Sequence, residues 1–215
     1  MAAYSSKLRS EQAAATRSRV IAAAGECFIA NGYVATTLRV IAERAGVSVE
    51  TVQSTGAKRA LLIAAFDQIY TGEDGERHFA ERDDVAQILG DPDIAEAIRR
   101  LARWIADNNA RVAGLWRIIT AAATGDADVA DYHREHLARM RGQTADILKG
   151  LIERGLIAPK RSVQETADLV WNSQMPDVHS RLVVDAGWTH DAYVDWLGET
   201  FLDLCRPVTN SKSAR

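Results

Sequence analysis

Apolar residues recur at helical spacing along most of the chain, and no stretch alternates apolar and polar as a half-buried strand would. From Ser10 onward, Val20, Ile21, Ala24, Phe28 and Ile29 mark one helix face, and Asn31-Gly32 suits that helix's C-terminus. Thr36-Thr37 supplies a cap for a helix over 38–45, Gly46 ends it, and Ser48 caps a short helix from Val49 to about residue 54. A fourth helix starts near Lys58 and turns Leu61, Leu62, Ala65, Phe66 and Ile69 inward. The polar run TGEDGERHFAERDD, twice broken by glycine, reads as a hinge, with movement absorbed at 71–76, and a further helical segment ends at Leu89.

Beyond it, Asp91-Pro92 reads as cap plus first-turn proline of a helix running through Trp104 to about residue 108. Helices over about 111–123 and about 129–154 follow, the second ending at Gly155. A helix from Ser162 is interrupted at Pro176 and resumes to about residue 185. The last starts at Gly187-Trp188-Thr189. The pattern predicts an all-α protein of about nine or ten helices. It divides into a head over 1–70, a body over 71–206 and a polar tail over 207–215 expected to be disordered.

Composition changes this picture little: 47% hydrophobic and 26% charged residues are ordinary for a globular protein. No apolar run approaches the ~20 residues of a membrane span, and the first twenty residues hold no apolar signal core, so a cytoplasmic protein without membrane contact is expected. Cys27 and Cys205 stand far apart without a CxxC pattern, which reads as two buried free thiols. Charge is more informative in its distribution than in its net value of −3. Residues 1–62 hold eight Lys/Arg against four Asp/Glu, a +4 head on a −7 remainder, which fits an anionic partner touching the head alone.

The head has the parts of a helix-turn-helix. Ala42 and Ala45 let two helices cross closely, Gly46 tolerates positive φ in the turn, and Val47 and Val52 can plug a small core beneath Ile41. Val49, Glu50, Thr51 and Gln53 then face outward, with Thr36, Thr37 and Arg39 at the supporting helix. The Thr36, Thr37, Ser48 and Thr51 hydroxyls, with Lys58 and Arg59 at the next helix start, are natural phosphate ligands. Gln53 can read adenine and Glu50 can accept from cytosine, although an acid in a first turn equally complements the helix dipole. A helix-glycine-helix segment alone also fits an ordinary helical hairpin.

The segment TTLRVIAERAGVSVETV, preceded by CFIANGY and followed by KRALLIAAF, resembles the DNA-binding head of the TetR family of bacterial transcriptional regulators across residues 16–66. In the body, ERDDVAQILGDPD and the run from ADLVWNSQMPDVHS to WLGETFLDL resemble an actinobacterial-type branch of that family. One departure stands in VQSTGAK: Gln53 occupies the place of the family's phosphate-touching tyrosine, its core phenylalanine is missing, and the segment is one residue shorter. Lys58 still stands at the place of the family's phosphate-binding lysine.

The resemblance implies a homodimeric repressor that binds a palindromic double-stranded DNA operator and is released by a small apolar or amphipathic ligand. It places dimerisation on the last two helices, where Tyr193, Trp196, Leu197, Thr200, Phe201 and Leu204 form a broad apolar face of the final one. Candidate ligand contacts are Trp104, Trp116, His133, Met140, Trp171 and Met175. A head altered at Gln53 leaves a second expectation, a TetR-type fold that binds a ligand or partner but no DNA. No cofactor, metal or catalysis is expected. HREH places His133 and His136 at i and i+3 but lacks HExxH and a third ligand, and GxGxxG, GxxxxGK[ST] and GxSxG are missing from the sequence.

Overall fold

The computed structural model describes residues 2–71 and 82–208. Among the described residues there are ten α-helices: α1 (Ala2–Ala35), α2 (Leu38–Ala45), α3 (Val49–Thr55), α4 (Lys58–Thr71), α5 (Asp83–Leu89), α6 (Ile94–Ala122), α7 (Ala127–Glu153), α8 (Val163–Ser173), α9 (Pro176–His179) and α10 (His190–Cys205). A π-helical stretch, Ser180–Asp185, follows α9. The all-α expectation holds, the one extended pairing among the described residues being an isolated bridge between Ile157 and Pro207. No helix among the described residues is long and apolar enough to cross a membrane. The hinge expected at 71–76, apart from Thr71 at the end of α4, and most of the expected tail lie outside the described residues.

The chain divides into two compact units, Met1–Gly75 with Gly114–His133, and Glu76–Ala113 with Arg134–Arg215. In the first, α1 packs on α2 and α4, and Val20, Ile21, Phe28, Ile41, Val52, Leu61, Leu62 and Phe66 are all at most 1% exposed. The expected stop at Asn31-Gly32 is a kink within α1: Gly32 leaves helical geometry at φ 77°, where a side chain is disfavoured, and a short helical stretch to Ala35 follows it. Thr36 then closes the end of α1. Its hydroxyl donates to the Gly32 carbonyl at 2.7 Å and, in a longer bifurcated arm, to that of Cys27 at 3.1 Å. Gly25 lets the helices approach, since a Cβ there would stand 3.3 Å from Ala65 Cβ and 3.7 Å from Leu115 Cδ1.

The second unit buries Ile88, Ile98, Ile105, Leu148, Leu151, Tyr193, Leu197 and Phe201 in one core. Two boundaries differ from expectation. The proline of Asp91-Pro92 lies outside its helix, because Asp93 is the cap, its carboxylate accepting from Ala95 N at 3.0 Å and Glu96 N at 3.2 Å. The break expected near residues 109–110 does not occur and α6 runs unbroken, because both asparagines there are bonded in place. Asn108 accepts from Arg111 at 3.0 Å, and Asn109 donates to the Gln174 carbonyl at 2.9 Å. Pro176 does interrupt the next helix, starting α9 at its first position. Both cysteines are free and buried, and burial raises each thiol pKa, that of Cys205 to about 12.

The close approach at Gly25 gives a direct test. Gly25→Val forces γ-methyls against Ala65 and Leu115, and urea unfolding should show a loss of about 1–3 kcal/mol. Unchanged stability would contradict the packing described.

Candidate functional site

The short α3 is built by its ends. Gly46 at φ 64° turns the chain, the Val47 amide returns to the Ala42 carbonyl at 3.1 Å, and the Ser48 hydroxyl accepts the Thr51 amide at 3.2 Å. Val52 is fully buried beneath it, leaving Glu50 and Gln53 exposed and Val49 and Thr51 half-buried. Only Gly56 and Ala57 separate α3 from α4. The shortened segment is stabilised by the Gly56 amide on the Val52 carbonyl at 3.1 Å and the Thr55 hydroxyl on the Thr51 carbonyl at 2.9 Å. Leu61, 1% exposed, is part of the interior beside the shortened segment.

The expected phosphate ligands separate on inspection. Thr37 is exposed and caps α2, accepting the Val40 amide at 3.3 Å. The Arg39 side chain is 82% exposed and its pair with Glu43 spans one helical turn, so it is open to a new anion. Ser48 is exposed with its hydroxyl 3.2 Å from that of Thr51. Thr36 is the correction: it is fully buried and its hydroxyl is committed to Gly32 and Cys27, so it anchors the fold and cannot reach a phosphate.

The cations at the start of α4 are already engaged. Lys58 Nζ donates to the Val34 carbonyl at 3.1 Å and lies 4.6 Å from the Tyr33 ring centre, and desolvation lowers its pKa. Arg59 pairs with Asp128 on α7. Tyr33 in turn donates to Asp126 at 2.8 Å, and burial first, then Asp126, raise its pKa to about 12. The Glu50 carboxylate is held below its usual range by its own backbone N–H and then by Ser48, which is the helix-start role an acid fills there.

The nominated ligand contacts fall in both units. Trp116 is fully buried in the first, its ring 5.6 Å from that of Phe66 and 5.0 Å from that of His133. In the second, Trp104 donates to Asp84 at 2.7 Å with the Arg82 guanidinium 5.0 Å from its ring centre. Met140 is half-buried and its carbonyl accepts the Thr144 hydroxyl at 2.9 Å. Met175 is buried at the start of α9, and the Trp171 indole N–H is buried with no partner among the described residues.

A buried polar network in the second unit was missed by sequence reasoning. Gln174 donates to the Thr144 hydroxyl at 2.9 Å, and Asn109 to the Gln174 carbonyl at 2.9 Å and the Tyr193 hydroxyl at 3.3 Å. The His179 ring stands edge-on to Tyr193 at 5.0 Å. Both His179 ring nitrogens, Ser180 Oγ and Thr166 Oγ1 are buried without a hydrogen-bond partner among the described residues, a concentration that polar interiors avoid unless something else satisfies them. The signal was in the sequence: Asn109 follows Ile98, Ala102 and Ile105 on one apolar stripe of α6, where a polar residue is the informative exception. Among the described residues no three His, Cys, Asp or Glu form a potential metal cluster, and His136 is buried with its Nδ1 3.2 Å from Arg139.

The dimer residues also divide. Tyr193, Leu197 and Phe201, at most 2% exposed, belong to their own chain's core and have no surface to offer a partner, because the 193/197/201 face is the one α10 turns inward. Trp196, Thr200 and Leu204 are half-buried, with Trp188 edge-to-face on Trp196 at 6.4 Å and Val184 59% exposed.

A capped, glycine-turned helix pair presenting α3 to solvent defines a helix-turn-helix head. Residues 20–53 match the family described as "Bacterial regulatory proteins, tetR family". The fold matches a TetR-family transcriptional regulator, described as putative, from Mesorhizobium loti MAFF303099, with a TM-score of 0.69 at 20% identity, covering 88% of this chain and 96% of that one. It also matches a complex of SmeT with triclosan (0.68, 16% identity, 92% and 93%) and native NalD, secondary repressor of the MexAB-OprM multidrug efflux pump in Pseudomonas aeruginosa (0.66, 16%, 90% and 98%). No curated protein matches the sequence. Residues 20–53 are therefore similar to the N-terminal domain of TetR-family regulators, and the chain's fold is one that the TetR-family regulator from Mesorhizobium loti shares.

The buried imidazole makes stability depend on pH. Burial first, and then the neighbouring His190, hold the His179 pKa below its ordinary value. The neutral ring's contribution is thus present above about pH 6.5, the free imidazole value, and is lost as pH falls through the folded value. Melting temperature should fall from about pH 7.5 to about pH 5, and His179→Phe should flatten that fall. Equal pH profiles for the two proteins would contradict it.

Proposed function

We propose that the chain is a homodimeric, cytoplasmic transcriptional repressor of the TetR type, of an actinobacterial-type branch, binding a palindromic operator through residues 1–70 and a small ligand through 71–206. The observation that carries this reading is the exposed face of α3, with Glu50 and Gln53 free of the core, on a domain that matches the TetR head. Thr37, Arg39, Ser48 and Thr51 flank that face as phosphate ligands, and Gln53 is the base reader, suited to adenine. Two copies pair through Trp196, Thr200 and Leu204 with Trp188 and Val184, because one seven-residue helix gives weak binding and two give a palindrome.

The ligand binds in the second unit around the unpartnered Trp171 and His179, with Trp104, Met140 and Met175 supplying apolar surface. A site with several unpaired donors and acceptors favours an amphipathic molecule over a purely apolar one. It opposes DNA by binding more tightly the conformation whose two heads are misplaced for adjacent half-sites. The engaged Lys58 and Arg59 favour a second reading, a TetR-type fold whose head has ceded DNA binding.

Selection of bound sequences from a random duplex pool separates the two. The repressor reading expects a two-fold symmetric sequence with half-sites about one helical turn or a multiple apart. Gln53→Ala should relax preference at one position per half-site by about 1–3 kcal/mol. A pool with no enriched sequence favours the second reading.

A further inference from the structure

Between α1 and α3 lies an open cleft of about 390 Å³ whose walls carry Gln12, Thr16, Arg17, Thr51, Ser54 and Thr55. Its chemistry is one guanidinium, one amide and four hydroxyls, with no carboxylate among the described lining residues. Arg17 is held in place: its Nη1 donates to the Thr55 carbonyl at 3.1 Å, which leaves the other nitrogens of the fork to present donors. Four other cations of the head are differently placed. Arg39, Arg44 and Arg59 each have a carboxylate partner, and Lys58 is bound to Val34 and Tyr33. Arg17 is therefore a fixed cation whose bond on α3 is to a neutral carbonyl, so its charge is uncompensated there.

The hydroxyls are placed to complement it. Thr51, Ser54 and Thr55 lie at i, i+3 and i+4, one stripe of α3, and Thr16 adjoins Arg17 on α1. Ser54 and Thr55 donate to the Thr51 carbonyl at 2.9 Å, bonds a hydroxyl rotation exchanges for a stronger, charge-assisted one to an anion. Ser54 neighbours Gln53, so the cleft opens beside the residue expected at the base edges, where the sugar-phosphate wall of a groove runs.

We propose that this cleft seats a backbone phosphodiester of duplex DNA, with Arg17 as its charged ligand and the Thr16 and Ser54 hydroxyls as further donors. The assignment rests on the DNA-binding reading above. It adds to the head an anchor on α1, outside the helix-turn-helix itself.

The test is fluorescence anisotropy with a mixed-sequence duplex of about three helical turns, so no operator need be known. Binding is followed from about 50 to about 200 mM salt for the wild-type chain, Arg17→Gln, Arg17→Lys and Ser54→Ala. Arg17→Gln keeps a donor for the Thr55 carbonyl but removes the charge. It should weaken binding at low salt several-fold and reduce the slope of log K against log salt by about 0.9, one phosphate contact. Arg17→Lys should keep the wild-type slope, and Ser54→Ala should weaken binding without changing it.

If Arg17→Gln, folded by circular dichroism, binds more weakly with the wild-type slope, Arg17 serves only to hold Thr55 and the proposal is overturned. If its slope is unchanged while inorganic phosphate shifts the wild-type Arg17 Nε resonance, the cleft takes free phosphate, which also overturns a backbone seat. Wild-type protein that binds no duplex at low salt removes the DNA reading and this one together. Wild-type binding with an unaltered Arg17→Gln slope removes only this one.

Discussion

A helix of seven residues cannot hold itself in water, because its nucleation cost exceeds the few hydrogen bonds it closes. The head is organised around that constraint on α3. Ser48 satisfies one end, Arg17 meets the Thr55 carbonyl at the other, and the fully buried Val52 fixes the middle in the head's core. The same requirement explains the kink at Gly32 and the buried Thr36, which set where α2 starts and hence where the turn at Gly46 delivers the chain. An ordered, solvent-facing surface on so short a helix exists only because its supports are rigid, so positioning residues outnumber exposed ones.

Local geometry was legible in the sequence. The caps at Thr37 and Ser48, the helix starts at Ser162 and Thr189 and the left-handed turn at Gly46 all follow from which side chains satisfy terminal amides or tolerate positive φ. What could not be read was which polar groups the tertiary fold consumes. Thr36 and Thr37 are adjacent and chemically equal, yet one is buried on α1 and the other exposed. Lys58 has the position of a phosphate ligand, but Tyr33 and the Val34 carbonyl, 25 and 24 residues earlier, reach it first. On α10 the broad apolar face concealed that Tyr193, Leu197 and Phe201 are needed by the chain's own core. Continuity of α6 was missed for a related reason: Asn108 and Asn109 look like a break until their partners are known, Arg111 one turn on and the distant Gln174 carbonyl.

In the second unit the balance runs the other way. Its apolar core is well supplied, but among the described residues the Thr166 hydroxyl, the Trp171 indole N–H, both His179 ring nitrogens and the Ser180 hydroxyl are buried without a hydrogen-bond partner, while Gln174 joins a network linking α6, α7 and α10. Such groups cost about 1–3 kcal/mol each when left unpaired, which makes this region a reservoir that a ligand's hydrogen bonds can draw on. The adjoining π-helical turn at Ser180–Asp185 departs from α-helical bonding in the same place, as helices often do at functional positions.

The claim that the head meets DNA through α3 and the adjoining face of α1 is tested most directly by amide chemical-shift mapping of the full chain as duplex DNA is added. The account predicts shifts concentrated at residues 48–54 and at Thr16 and Arg17, with the buried amides around Phe66 and Leu197 unmoved. Shifts confined to other surfaces, or none at low salt, would contradict it.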